Sequence, residues 1–356
     1  MRIESEVKLD FEDVLLKPKR STLNSRKDVS LERTFSFYHS PKKWTGIPIM
    51  SANMASSGTF EVAEALAPYK IITTFHKYYT IQDYQTFFKT FNNPDYIAYT
   101  LGIRDQDIAQ LDAMIQHDLM KHFSLICLDV PNGYLERFIE VVRLVREKCP
   151  EHILVAGNVV SNEMTEEMIL NGADIVKVGI GSGAGCTTRR MTGVGYPQLS
   201  SVIECADAAH GISNHQGAGL IISDGGIVHP CDFAKAFCGG ADFVMAGSVF
   251  SGYEQSGGRT VEKNGKKYKE YYGSSSNKAM IEHYGKKETH RASEGRYTLV
   301  PHKGDLNDFI QDLLGSLRST GTYLGASRLK EFAKRATFIR VNHQLNTSLE
   351  RYDQSN

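Results

Sequence analysis

Residues 152–180 read "HILVAGNVVSNEMTEEMILNGADIVKVGI". The run at 152–158 is short, apolar and β-branched, with no polar alternation. "TEEMILNG" (165–172) carries a helical pattern, and 173–180 is a second apolar run. A strand, a helix and another strand, both strands apolar throughout, describe two parallel neighbours buried on both faces. Similar runs lie at 47–52, 70–75, 96–101, 124–130, 219–226 and 241–248, which brings the total to eight. Helical patterns lie between them, as in "TFEVAEALAPY" (59–69), "TIQDYQTFFKTF" (80–91) and "GYLERFIEVVRLVREKC" (133–149). Two more run from Pro197 to Gly211 and from Pro230 to Gly239, each with a proline at its start and a glycine at its end.

Eight strands alternating with helices predict an α/β fold, a closed (β/α)8 TIM barrel. The rival, a doubly wound open sheet, would need GxGxxG between the first strand and helix, and nothing there fits. The chain reads as one barrel domain over 1–356, with an N-terminal extension (1–45) and a polar C-terminal tail (339–356). A polar, glycine-rich insertion at about 251–300 follows the eighth strand. That position is on the face where barrels keep their chemistry, so the insertion reads as a lid. Inside it, "RTVEKNGKKYKEYY" (259–272) predicts a hairpin turning at Asn264-Gly265.

Lys plus Arg and Asp plus Glu both number 41. No net field draws nucleic acid or an acidic membrane, so an anionic ligand needs a local site. No stretch approaches the ~20 apolar residues of a membrane span. The first residues, "MRIESEVKLDFEDVLLKPKR", have scattered charges and do not read as a signal peptide. None of the six cysteines forms a CxxC pair, so free thiols and a cytoplasmic setting are expected, with Cys127 and Cys205 in the core.

In a barrel the loops after the strands carry the chemistry. After the sixth strand comes "GIGSGAGCTTRR" (179–190). Alternating glycines bare the backbone. Cys186, with Arg189 and Arg190 close behind, reads as a nucleophile whose thiolate is favoured, and Thr188 is near enough to shuttle its proton. The competing reading is a small buried cysteine after a flexible turn. "SDGG" (223–226) and "AGS" (246–248) follow strands seven and eight, where barrels often hold phosphate through backbone amides. Asp224 suits ribose hydroxyls, or else a turn. "RASEG" (291–295) offers Arg291 for an anion and Glu294 for proton transfer. Lys77, Asp129 and Asn158 end earlier strands on the same face.

"DFEDVLLKPKRST" (10–22), "GIGSGAGCTTR", "TGVGYPQLS", "ISDGG" and "TFIRV" (337–341) together resemble the IMP dehydrogenase/GMP reductase family along nearly the whole chain. Residues 53–69 leave no room for the CBS regulatory modules that dehydrogenases usually insert. "EQSGGR" (254–259), "NGKKYK" (264–269) and "RASEG" resemble the reductase lid. The resemblance implies reductive deamination of GMP by NADPH to IMP and ammonia. Cys186 would add to purine C2, with Thr188 and Glu294 moving the proton.

It further implies that Asp224 meets the ribose and that Gly225, Gly226, Gly247 and Ser248 meet the phosphate. Gly273, Ser275, Arg291, Ser293 and Gly295 would surround the base. NADPH would lie near Lys77, Asp129, Val130, Pro131, Asn158, Gly181 and Ser274. Its adenosine end would reach Ser25, Arg26, Ser319, Thr320, Gly321 and Thr322 of a neighbouring subunit in a homotetramer. Gly181, Gly183 and Cys186, with Arg189 nearby, match a K+ loop. The chain departs from the family pattern at Ser182, Ala184, Gly185, Ala55 and Ser274. A dehydrogenase without regulatory modules and a non-catalytic nucleotide-binding barrel remain the alternatives.

Overall fold

A computed structural model describes residues 1, 3–273, 276, 278, 279, 281 and 294–342. All eight expected runs contain strands: β1 (Ile49–Ser51), β2 (Ile72–Thr74), β3 (Ile97–Leu101), β4 (Leu125–Asp129), β5 (Ile153–Val159), β6 (Ile175–Val178), β7 (Leu220–Asp224) and β8 (Phe243–Ala246). Each pairs in parallel with the next, and β8 returns to β1 through Val244 opposite Ile49, closing the barrel. Apart from β5, the strands are shorter than the apolar runs because backbone geometry trims them. Lys70 takes a left-handed φ of 58° and delays β2, while Gly225 and Gly226, with φ of 101° and 74°, stop β7.

Two layers of apolar side chains result. Met50, Ile72, Ala98, Cys127, Val155, Ile175, Ile222 and Met245 fill the barrel interior. The opposite strand faces pack on the surrounding helices, among them α1 (Phe60–Leu66), α2 (Ile81–Phe87), α3 (Asp105–Gln116), α4 (Glu136–Lys148) and α5 (Asn162–Leu170). The ring continues with α6 (Gln198–Gly211), α7 (Pro230–Cys238) and α8 (Leu306–Leu324). Cys127 and Cys205 are both fully buried, as expected of core thiols.

A hairpin of Arg33–Ser36 and Lys43–Gly46, within the N-terminal extension, plugs the mouth where the strands begin. Its Phe35 and Trp44 pack on Phe243 with ring centroids 4.7 and 5.2 Å apart. Trp44 Nε1 donates to the Asp95 carbonyl at 2.6 Å, so the one polar atom of a buried indole is satisfied. The opposite mouth, at the carboxyl ends of the strands, is left for a ligand.

After β8 the chain forms a three-stranded antiparallel sheet from Thr260–Lys263, Lys266–Tyr272 and Tyr297–Pro301. Its first turn is the expected one, with left-handed φ of 53° at Asn264 and 72° at Gly265. Phe338–Arg340 pairs with Val14–Leu16, so the start of the polar tail is a strand that ties the two ends of the chain together. Residues 343–356 of that tail, and 282–293 of the insertion, lie outside the described residues.

Trp44→Ala removes the largest side chain of the plug. It is expected to lower stability by about 3–5 kcal/mol, read as an earlier midpoint in urea denaturation.

Candidate active site

The carboxyl ends of the strands surround a cavity of about 660 Å³. Cys186 stands on its rim, in the loop after β6. Gly179 starts that loop where a Cβ would lie 2.0 Å from the Asp224 carbonyl oxygen, so only glycine lets β6 and β7 end side by side. The Cys186 amide then donates to the Gly183 carbonyl at 2.9 Å, which closes a tight turn. A single helical turn, Thr188–Thr192, follows.

The thiol faces a hydrogen-bonded chain. Cys186 Sγ donates to Thr188 Oγ1 at 3.1 Å, and Thr188 Oγ1 donates to Glu294 Oε2 at 2.6 Å. Backbone pairing brings in Glu294 from the far end of the insertion. Cys186 pairs with Gly295 in an antiparallel bridge; the Thr187 amide donates to the Glu294 carbonyl at 2.8 Å and the Arg296 amide to the Gly185 carbonyl at 2.9 Å. A proton on sulfur therefore has a two-step path, through a hydroxyl, to a carboxylate.

Arg189 braces the loop from behind. Its guanidinium grips the Asp10 carboxylate at 2.8 and 3.2 Å and the Tyr196 carbonyl at 2.6 Å. Asp10 also accepts from the Gln198 amide at 2.6 Å. The N-terminal segment thereby fastens the cysteine loop to the start of α6. Ser182, where the family pattern differs, donates to Gln198 Oε1 at 2.7 Å, and Gln198 Nε2 reaches the Val178 carbonyl at 2.8 Å.

The electrostatic centre of the cavity is Lys177, on β6 and only 1% exposed. Its Nζ lies 2.6 Å from Asp129 Oδ1 and 3.3 Å from Asp224 Oδ2. Burial opposes ionisation of Asp129, but the Lys177 cation outweighs it and holds the carboxyl below its usual range. Burial works against the Lys177 charge too, yet the two carboxylates push its titration upward. Asn158 Nδ2 donates to Asp224 Oδ2 and to the Gly179 carbonyl, each at 2.8 Å, while its buried Oδ1 has no hydrogen-bond partner among the described residues. An unmet acceptor beside a cavity suits a ligand N–H.

The structure gathers most of the residues expected from the sequence around this one cavity. Its lining includes Lys77, Asp129, Val130, Pro131, Asn158, Gly181, Gly183, Cys186, Thr188, Asp224, Gly225, Gly226, Gly247, Ser248 and Glu294. Gly295 is opposite Cys186, and the Gly273 amide joins the same strand end by donating to Arg296. Ser25, Arg26 and Ser319 to Thr322 are not among the lining residues. They belong to a separate corner, where the turn Arg26–Asp28 leads into Val29 and Val29 sits against Gly321 of α8. Ser274, Ser275, Arg291 and Ser293 lie outside the described residues. Sequence reasoning missed Lys177, Asp10, Gln198 and Tyr271. Only Lys177 left a signal, a single charge inside the apolar run "IVKV".

Residues 8–348 match the family model described as IMP dehydrogenase / GMP reductase domain. A GMP reductase of Caenorhabditis elegans is 54% identical over 350 residues, covering 97% of this chain and 95% of the relative. GMP reductase 1 of Mus musculus is 52% identical and that of Homo sapiens also 52%, each covering 97% of this chain and 99% of the relative.

Lys177→Met would leave two carboxylates facing each other without their cation, at an expected cost of about 3–5 kcal/mol at neutral pH. Asp129 titrates lower in the folded chain than in the unfolded one. Its contribution is therefore complete above about pH 4 and is lost as pH falls through the lower folded value. Urea denaturation of wild type and Lys177→Met at neutral and acid pH should show the gap between them narrowing on the acid side.

Proposed function

The chain belongs to the IMP dehydrogenase/GMP reductase family, and we infer that it is a GMP reductase, converting GMP and NADPH to IMP, ammonia and NADP+. The observation that carries the chemistry is the unbroken chain from Cys186 Sγ through Thr188 Oγ1 to Glu294 Oε2, at 3.1 and 2.6 Å.

Cys186 gives its proton through Thr188 to Glu294 and attacks C2 of the guanine as a thiolate. The C2–nitrogen bond then breaks. Glu294, now protonated, returns the proton through Thr188 to the departing amino group, because an amide anion is too poor a leaving group to depart unaided. What remains is a covalent bond between Cys186 and purine C2, which divides one difficult displacement into two easier ones. NADPH, when bound, supplies the hydride that takes the place of sulfur at C2.

The residues of the cavity fit both nucleotides. Asp224, oriented by Lys177 and Asn158, accepts from the ribose hydroxyls. Gly225, Gly226, Gly247 and Ser248 offer the phosphate a side-chain-poor cradle. At Gly225 an added Cβ would lie 2.5 Å from Ser182 Oγ. The Oδ1 of Asn158, which has no partner among the described residues, suits the carboxamide N–H of nicotinamide. Val130 and Pro131 would flank that ring, with Asp129 beside it and Lys77 towards the cofactor phosphates. Gly273, Ser275, Arg291, Ser293 and Gly295 would enclose the base, with Ser274 on the nicotinamide side.

The separate corner holding Ser25, Arg26, Ser319, Thr320, Gly321 and Thr322 supports an adenosine site that a neighbouring subunit completes, and with it a homotetramer. The carbonyls of Gly181, Gly183 and Cys186 would hold K+, because neutral backbone oxygens suit a weakly hydrated monovalent ion. Arg189 would brace that loop through Asp10. Among the described residues no helix is long and apolar enough to cross a membrane, and the six free cysteines fit a cytoplasmic setting. The whole chain would act as one barrel with the insertion at 251–300 as its lid.

Purified protein given GMP and NADPH should lose reduced-nicotinamide absorbance and release ammonia. IMP with NAD+ should give no sustained rise. Cys186→Ala should abolish turnover while retaining GMP binding, and Glu294→Gln should lower kcat by about 10²–10⁴. A sustained rise with IMP and NAD+ alone would make the chain a dehydrogenase. Tight GMP binding with silence in both directions would make it a non-catalytic nucleotide-binding barrel.

A further inference from the structure

Gly185 precedes the nucleophile, and its missing side chain has a specific neighbour. A Cβ built on Gly185 would lie 2.7 Å from the Tyr271 hydroxyl oxygen and 3.1 and 3.2 Å from two of its ring carbons. Tyr271 belongs to the strand Lys266–Tyr272, opposite Thr298 in the sheet of the insertion. It is 6% exposed and lines the cavity. The two elements are also tied through their backbones. Arg296 donates its amide to the Gly185 carbonyl and accepts from the Gly273 amide, both at 2.9 Å. Tyrosine ring and cysteine loop are thus held against each other, and only a residue without a side chain allows the contact.

We propose that Tyr271 is a positioning residue for Cys186, with its ring seated on Gly185 and its phenol offering a hydrogen bond on the cavity side of the nucleophile's loop. The phenol is well placed for this because the described residues provide it with no hydrogen-bond partner, whereas Thr188 and Glu294 are already bonded to one another. Burial, with a smaller contribution from the Cys186 charge, pushes the phenol up to about 12, so it keeps its proton and acts as a donor. The other charged groups near the thiol are accounted for: Glu294 acts through Thr188, and Arg189 is held by Asp10. A ring seated on this loop, with a donor directed at it, fixes the sulfur orientation that reaches a bound purine.

The proposal rests on Cys186 as the nucleophile, so its test needs a readout that does not depend on turnover. That readout is the rate of Cys186 alkylation by iodoacetamide at one fixed pH, followed by peptide mass spectrometry with Cys186→Ala as the blank. Three variants are compared with wild type: Tyr271→Phe, Gly185→Ala and the two combined. Tyr271→Phe, which keeps the ring, should slow alkylation several-fold and lower kcat for GMP about tenfold, with KM for GMP changed less than twofold. Gly185→Ala should displace the phenol and do the same. The double variant should be no worse than the weaker single, because both changes remove one contact. An unchanged alkylation rate and kcat in Tyr271→Phe, or losses that multiply in the double variant, would overturn the proposal. Absence of GMP reduction in wild type would sink the functional reading instead, while the alkylation rates would still decide the role of Tyr271.

Discussion

The short antiparallel contact between residues 185–187 and 294–296 is the constraint on which the site depends. Its bonds from Thr187 to Glu294 and from Arg296 to Gly185 are ordinary backbone hydrogen bonds of 2.8 and 2.9 Å. They join two segments remote in sequence and leave the Glu294 carboxylate facing the Thr188 hydroxyl. Without them the Thr188 hydroxyl would lose its carboxylate partner. The segment that follows β8 therefore completes the hydrogen-bonded chain that starts at Cys186.

A second constraint lies deeper. Placing two carboxylates, Asp129 at the end of β4 and Asp224 at the end of β7, around one buried cavity is unfavourable unless a cation joins them. Lys177 does so from inside the barrel wall, where it is almost wholly shielded from water. A lone buried lysine would tend to lose its charge. Two acidic partners hold it charged, and it holds Asp129 ionised in turn. The same cation, with Asn158, fixes where the Asp224 carboxylate points. Asp10 plays a comparable part at the back of the loop, where it binds Arg189 and the start of α6. The cysteine loop, rich in glycine and weak by itself, is stiffened by groups that never enter the cavity.

Much of this was legible in the sequence. Strands buried on both faces leave continuous apolar runs, and eight such runs separated by helical patterns are hard to arrange except as a closed barrel. Cys186 and Thr188 are only two residues apart in the chain, and Glu294 sits in a motif that resembles the family. The partners of the charged groups were not legible. Arg189 reads as a neighbour of the thiol because it is three residues away, yet its guanidinium is bound to Asp10, 179 residues distant. Lys177 could be noticed as an odd charge in an apolar run, but nothing local says which carboxylates it meets. Tyr271 reads as one aromatic among several, and its relation to Gly185 appears only when the sheet of the insertion is laid on the loop. Periodicity carries local structure; these pairings come from barrel register and from loops meeting across its mouth.

The central claim is a covalent bond between Cys186 and purine C2, and it is tested most directly by running the reaction backwards without ammonia. Enzyme mixed with IMP and NADP+ should transfer one hydride per site and stop, because no amine is present to release the purine. The account predicts a single stoichiometric burst of NADPH absorbance and, after acid quench, a nucleotide adduct on the peptide that carries Cys186. Cys186→Ala should show neither. A burst that persists in Cys186→Ala, or a burst in wild type with no adduct on that peptide, would contradict it.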